Sequence, residues 1–492
     1  MISLKRSTIS LYYFKLILEK KQDRLEVFMK KGRKYSEYEI SMIANTALGK
    51  TFRQIEKEDL TTFEEKQVQK GSLGQIIETA LYGIETNSES EPDFIDAGVE
   101  LKVTPYRKNK NNSLSAKERL VLNIINYMTE YANSFENSHF WFKNHKLEIL
   151  WYLYEENKDN LDFVLTHANL IDLEVSEDLK QIEKDWNTII DKIKAGKAHE
   201  ISEADTMYLG ACTKGESKKS VRTQPFSDIK AKQRAFCFKQ SYMTQLVRKY
   251  IGDYHNVEKI LKNSSDTFDS FVNRVVNKYK GKTQMELIQE LGISPNCNSK
   301  AIFMMIVNRM FQVKSKLKNT EEFQKAKIIP KTIRVEENGT IEQSMSFPYF
   351  SFEYIFNTDF EDSTFREELE TTKYMFFVFK KEKGEYVFKG IKLWNMPENV
   401  IDTSVKEMYD KTREVIRTGN IVNHIDEQGR RITNFPGISD NGVCHVRPHG
   451  RNAADTIPLP VKDKLTGADR YTKQCFWFNN NYVKEIIADI IK

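Results

Sequence analysis

The chain has 492 residues, 40% hydrophobic and 29% charged, with 75 Lys and Arg against 70 Asp and Glu and a net charge of +5. This composition excludes a disordered chain, and the length predicts two or three domains, since single cores rarely exceed about 250–300 residues. No uninterrupted apolar run of about 18 residues occurs, which excludes a spanning helix, and the mild positive charge permits a nucleic-acid patch without requiring one.

Residues 1–36 are basic and helical in character, end in Lys30-Lys31-Gly32-Arg33-Lys34, and read as an N-terminal extension. Lys15 cuts the apolar patch Ile9–Tyr13 and no small-residue cleavage site follows, so no secretory signal is expected. The five cysteines (Cys212, Cys237, Cys297, Cys444 and Cys475) contain no C-x-x-C pair. Neither a zinc knuckle nor a disulfide framework is therefore expected, and the reading is a reduced, cytoplasmic protein.

Gly49-Lys50-Thr51 opens the first helical segment. A helix is predicted over 70–82, with Ile76, Ile77, Ala80 and Leu81 on one face. Its start, Lys70-Gly71-Ser72-Leu73-Gly74, lets backbone approach closely, and Glu78 projects one to two turns in. A carboxylate on an apolar helix face costs free energy unless it is paired.

The most informative stretch is Pro92-Asp93-Phe94-Ile95-Asp96-Ala97-Gly98-Val99-Glu100-Leu101-Lys102. Val99–Val103 is predicted as a strand leaving a tight turn, so Glu100 and Lys102 point to one face of a sheet. A strand returning past the turn brings Asp93 beside Glu100. Two carboxylates there repel unless a cation lies between them, and hard oxygen ligands with open water sites suit Mg²⁺. Lys102 is placed to hold or help deprotonate an attacking water and to stabilise charge on a phosphate. Together these parts can hydrolyse a phosphodiester. The same spacing also occurs on ordinary solvated faces.

Leu120–Tyr127, Leu147–Tyr154 and Met375–Phe379 are apolar runs, and the mixture of strands and helices predicts an α/β fold. The halves look like a worn duplication. Gly281-Lys282-Thr283 repeats Gly49-Lys50-Thr51, Lys300 repeats Lys70, and Phe476, Phe478 and Tyr482 repeat Phe236, Phe238 and Tyr242. These aromatics read as core rather than as a stacking platform. The domains are expected at 37–254 and 281–492, with a linker over 255–280. Counting eight from Lys300 puts Asn308 at the place of Glu78, and taking Lys331-Thr332-Ile333-Arg334-Val335 as the strand that should carry E-x-K puts Thr332 at the place of Glu100 and Arg334 at that of Lys102. On that count the second copy cannot hold a metal.

These motifs, with Lys117-Glu118-Arg119-Leu120, Gly196-Lys197-Ala198-His199, Ser227-Asp228-Ile229-Lys230 and Cys444-His445-Val446-Arg447-Pro448-His449, resemble the MutH family of nicking endonucleases. They resemble more closely the Sau-type type II restriction endonucleases that cut GATC. The resemblance spans nearly all of residues 38–492. It implies tandem MutH-like folds with mixed central sheets flanked by helices. It implies Asp93 and Glu100 as Mg²⁺ ligands, Lys102 as the catalytic lysine of the PD-(D/E)xK class, Glu78 as the supporting helix glutamate and Lys117 as a further active-site lysine. DNA contacts are implied for Lys70, for Lys214 and Gly215 in a diverged first-half loop, and for Arg447 and Pro448 in the second-half recognition loop. The implied activity is cleavage of both strands of double-stranded DNA 5′ of G in GATC, leaving 5′-phosphates. The implied second half is inactive and binds another GATC as an allosteric effector. Expected partners are a second copy of the chain on DNA and a cognate methyltransferase. The alternatives are a nicking repair endonuclease and a non-catalytic DNA-binding regulator.

Overall fold

The computed structural model describes residues 34–58, 72–84, 91–215, 220–252, 257–262, 267–294, 301–342 and 344–492. Residues 1–33 of the N-terminal extension, Lys70, Lys218, Lys219, Cys297 and Lys300 lie outside the described residues. The chain packs as two compact units, Met1–Leu179 with Ala235–Tyr254, and Lys180–Arg234 with His255–Lys492. Among the described residues no helix is long and apolar enough to cross a membrane.

In the first unit, helix α1 (Glu37–Thr46) begins at a capping box made by Ser36 and Glu39 and buries Ile40, Ile43 and Ala44. Strands β1 (Val99–Lys108) and β2 (Leu114–Ala116), helix α2 (His139–Asn144) and strands β3 (Lys146–Leu153) and β4 (Leu165–Asp172) follow. The mixed sheet has the order β2-β1-β3-β4. Its β1/β3 pair is parallel, and its other pairs are antiparallel. Val99 and Leu101 of β1 join the core built on Ile40, Ile43, Ile76 and Ile77. Strand alternation therefore turns Glu100 and Lys102 to the opposite face. Phe236, Phe238 and Tyr242 are buried, as the sequence predicts for core residues.

In the second unit a hairpin, β5 (Val221–Gln224) and β6 (Ser227–Lys232), precedes strands β7 (Ile328–Val335), β8 (Lys373–Glu382) and β9 (Glu385–Trp394). The order β7-β8-β9, parallel then antiparallel, matches β1-β3-β4. The Gly-Lys-Thr turns dock alike. Gly49 donates to Leu165 O (2.8 Å) and Leu165 N to Lys50 O (3.0 Å); Gly281 donates to Phe388 O (2.9 Å) and Phe388 N to Lys282 O (2.9 Å).

These docking points fix a residue-by-residue register. Leu165 pairs with Tyr152 and Tyr152 with Pro105, while Phe388 pairs with Phe379 and Phe379 with Arg334. Arg334 therefore stands where Pro105 stands, Ile329 where Glu100 stands, and Lys331 where Lys102 stands. The preceding turns agree: Phe94, Ala97 and Gly98 (φ +65°) correspond to Phe323, Ala326 and Lys327 (φ +51°). This corrects the assignment of Thr332 and Arg334, which found the right strand but set its E-x-K positions three residues too far along. Loop lengths between helix and strand differ in the two halves, whereas the hydrogen-bond ladder sets register directly.

Candidate active site

The site is built around a tight turn. Phe94 N donates to Val99 O (2.9 Å) and Val99 N to Phe94 O (3.2 Å), folding the chain back through a short 3₁₀ turn, Ile95–Ala97. Gly98 closes the turn in the left-handed region, and a Cβ there would lie 2.9 Å from the His145 ring, so glycine is required on both counts. Asp93 thereby comes beside Glu100. Leu101 N donates to Asp93 Oδ2 at 2.9 Å, and Asp93 N donates to Glu100 Oε2 at 3.2 Å.

Two ammonium groups flank Glu100. Lys102 Nζ lies 2.5 Å from Oε1 and Lys143 Nζ 3.6 Å from Oε2. The Glu100 side chain is 3% exposed, against 18% for Lys102 and 14% for Lys143. Helix α2 delivers Lys143, which also donates to Glu91 O at 2.9 Å. The sequence reading missed Lys143, because nothing within its own segment marks it. Only the parallel packing of β3 on β1 brings α2 to the turn.

Glu78 belongs to the same cluster. Helix Ser72–Ile76 runs into a π-turn over Ile77–Leu81, an irregularity often found at functional sites. Burial raises the Glu78 carboxyl above its ordinary range, Lys102 and Lys143 oppose that rise, and Glu100 adds to it. Asp93 is pushed further, to about 7, first by burial and then by the Glu100 charge, against the Leu101 hydrogen bond and Lys102. A buried acid held beside a second carboxylate is stabilised in its charged form when a cation shares the charge of the pair.

The donor set fits one. Among the described residues no group of three or more His, Cys, Asp or Glu side chains is placed to hold a metal. Two convergent carboxylates nevertheless suffice for Mg²⁺, which keeps several waters and commonly takes only one or two protein carboxylates.

The structure does not bring Lys117 to this cluster. Its amide bonds to Pro105 O, five residues along β1 from Glu100, a span of about 16 Å. Its ammonium lies 3.6 Å over the Tyr154 ring. Lys214 and Gly215 are exposed beyond the strand Leu209–Thr213, with Lys214 N bonded to Gln233 O at 2.8 Å. Arg447 and Pro448 are exposed at the end of the strand Cys444–Pro448, and the Arg447 guanidinium lies 5.1 Å over the Trp477 ring.

Comparison with known proteins decides the family. The chain is 36% identical over 458 residues to the type II restriction enzyme Sau3AI of Staphylococcus aureus, covering 86% of this chain and 93% of that enzyme.

The chain belongs to the MutH-like type II restriction endonucleases.

The family model of the DNA mismatch repair enzyme MutH matches residues 82–185, which contain Asp93, Glu100, Lys102 and Lys143. The MutH protein of Pasteurella multocida is 29% identical over 154 residues, 31% of this chain and 66% of the relative. That of Haemophilus influenzae (strain PittEE) is 27% identical over the same length. As a MutH-like restriction endonuclease the protein is a site-specific deoxyribonuclease.

The second unit of this restriction endonuclease lacks the arrangement. At the place of Glu100 stands Ile329. At the place of Leu101, whose amide fixes Asp93, stands Pro330, which has no N–H to give. Glu322 occupies the position of Asp93 but accepts the amides of Ile260 (3.0 Å) and Leu261 (2.8 Å). Lys331 remains, and burial lowers its pKa.

Proposed function

We propose that the first unit cuts both strands of double-stranded DNA at GATC, 5′ of G, in a Mg²⁺-dependent reaction leaving 5′-phosphates. The observation that carries this reading is Asp93 and Glu100 held together under two lysines in a restriction endonuclease chain. Asp93 and Glu100 would hold the ion, with Glu78 supporting the charge balance. Bound there, Mg²⁺ supplies Lewis-acid polarisation of the phosphodiester.

The chain's own groups do the rest. The Leu101 amide orients the Asp93 carboxylate. Lys102 directs an ammonium to the face where the scissile phosphate sits, stabilising the negative charge that grows on its oxygens and orienting the attacking water. Lys143 adds a second positive charge on the other side of Glu100. These residue roles replace the one that the resemblance implied for Lys117. Lys70, Lys214 and Gly215 remain proposed DNA contacts of the chain.

The second unit, with Arg447 and Pro448 at the DNA, binds another GATC as effector. Its sheet order matches that of the first unit, while Ile329 and Pro330 remove the cation seat. One active copy per chain implies that two chains meet on DNA. The protein acts in the cytoplasm beside a cognate methyltransferase.

Purified protein on supercoiled plasmid tests this reading. Linear product at GATC, faster with a second site in cis or trans, supports restriction with an effector; open circles alone favour a nicking enzyme. Cleavage elsewhere removes the GATC assignment.

A further inference from the structure

Lys331 keeps the place of the catalytic lysine in a centre whose charge is reversed. By register it stands where Lys102 stands, so strand alternation turns it to the matching face of its sheet. Lys102 answers a carboxylate at 2.5 Å. Lys331 answers none. Ile329 takes the place of Glu100, and Glu322, at the place of Asp93, is engaged by the amides of Ile260 (3.0 Å) and Leu261 (2.8 Å). The acid whose charge reaches Lys331 is Glu368, and Lys327 holds that carboxylate at 2.8 Å. Among the described residues Lys331 makes no hydrogen bond and no ion pair.

Its surroundings add positive charge rather than cancel it. Lys318 acts on Lys331 with like charge. Lys316 and Lys318 are exposed on the segment before β7 and form no ion pair among the described residues. Tyr374, paired with Ile329 on the neighbouring strand, holds a buried hydroxyl that also has no hydrogen-bond partner among the described residues. A largely buried ammonium without a counter-charge costs free energy, and an anion brought by a ligand would remove that cost.

The first unit indicates which anion. There the lysine at this place faces a DNA phosphate beside a cation seat. The second unit has lost the seat and kept the lysine, which leaves a phosphate contact that needs no metal and cannot cut. We propose that Lys331 takes a backbone phosphate of DNA bound to the second unit, with Lys316 and Lys318 along the approach, so that this unit holds DNA without a divalent cation. The first unit cannot do the same, because Asp93 and Glu100 without a cation repel a phosphate. The proposal rests on the reading that the second unit binds effector DNA, and adds to it the contact and its independence of metal.

The test measures binding of the full-length protein to a labelled GATC duplex by fluorescence anisotropy, in EDTA and in Ca²⁺. Wild type should bind in EDTA. Lys331→Met should bind there about tenfold more weakly, and by the same factor on a scrambled duplex. Its slope of log affinity against log salt should be shallower by about one. Lys331→Arg should keep most of the binding. A single methylphosphonate walked along the duplex should reproduce the loss in wild type at one position, and Lys331→Met should be indifferent to it there. Binding by Lys331→Met that matches wild type in strength and salt slope overturns the proposal. So does wild type that binds in Ca²⁺ but not in EDTA. Full displacement of the duplex by inorganic phosphate at constant ionic strength would assign the site to a free anion and overturns it too. Wild type that binds the duplex under neither condition would instead remove the effector reading beneath it.

Discussion

Asp93 and Glu100 hold each other in place through the backbone: the Asp93 amide donates to Glu100 Oε2 at 3.2 Å while Asp93 Oδ2 takes the Leu101 amide at 2.9 Å. The bonds align two carboxylates side by side in a place whose burial disfavours the charge of Asp93. The protein without divalent cations should show the cost. Asp93 titrates near 7 when folded and near 3.8 when unfolded. The folded state therefore keeps a proton that the unfolded state has lost, and stability falls as pH rises from about 4 through 7. Melting curves in EDTA should show this fall, and Asp93→Asn should flatten part of it and melt higher at pH 8, by about 2–4 °C for each kcal/mol relieved. A variant that melts lower at pH 8 would show that the carboxylate is not strained.

Glu148 contributes with the same sign from the other side of the sheet. It is fully buried on β3 and pairs in register with Leu101. One oxygen takes the Ser41 hydroxyl at 2.8 Å. Burial raises its carboxyl to about 7. Glu148→Gln should reduce the loss of stability between pH 5 and 8. Added Mg²⁺ should restore stability lost through Asp93 but not that lost through Glu148. Equal rescue of both losses in melting curves would contradict this placement.

Lys143 and Lys117 make a direct comparison. Lys143→Ala should lower the single-turnover cleavage rate about 10²–10³-fold, the range for losing one charge-stabilising donor. Lys117→Ala should cost far less, since its ammonium lies over Tyr154. The reverse order would return Lys117 to the active site.

Lys331 stands in the second unit where Lys102 stands in the first, without a neighbouring Glu100. Its lowered pKa means that the folded state sheds the proton first. Stability is reduced below the folded pKa and recovers as pH climbs through it. Lys331→Met should therefore melt a few degrees higher at neutral pH, with the gap narrowing toward high pH. It should leave single-site cleavage unchanged. A lower melting temperature would mean that Lys331 is compensated in the fold.

What the sequence could disclose divides along local and non-local lines. The meeting of Asp93, Glu100 and Lys102 was legible because a turn and strand alternation act within ten residues. The core role of Phe236 and Phe238 was legible for the same reason. Lys143 was not, since its approach to Glu100 depends on how two strands 47 positions apart pair, Glu100 with Leu147. The correspondence of Ile329 and Lys331 escaped the choice of positions within that strand because it is written in hydrogen bonds between strands. The packing of Lys180–Arg234 with the second unit has no signal in composition.

The central claim is that Asp93 and Glu100 form the cation seat for DNA cleavage. Single-turnover cleavage of a GATC plasmid by Asp93→Ala in Mg²⁺, with DNA binding measured in Ca²⁺, tests it most directly. The expected result is cleavage lowered by at least about 10³-fold with binding largely retained. Cleavage by Asp93→Ala at a rate near that of wild type would contradict the claim.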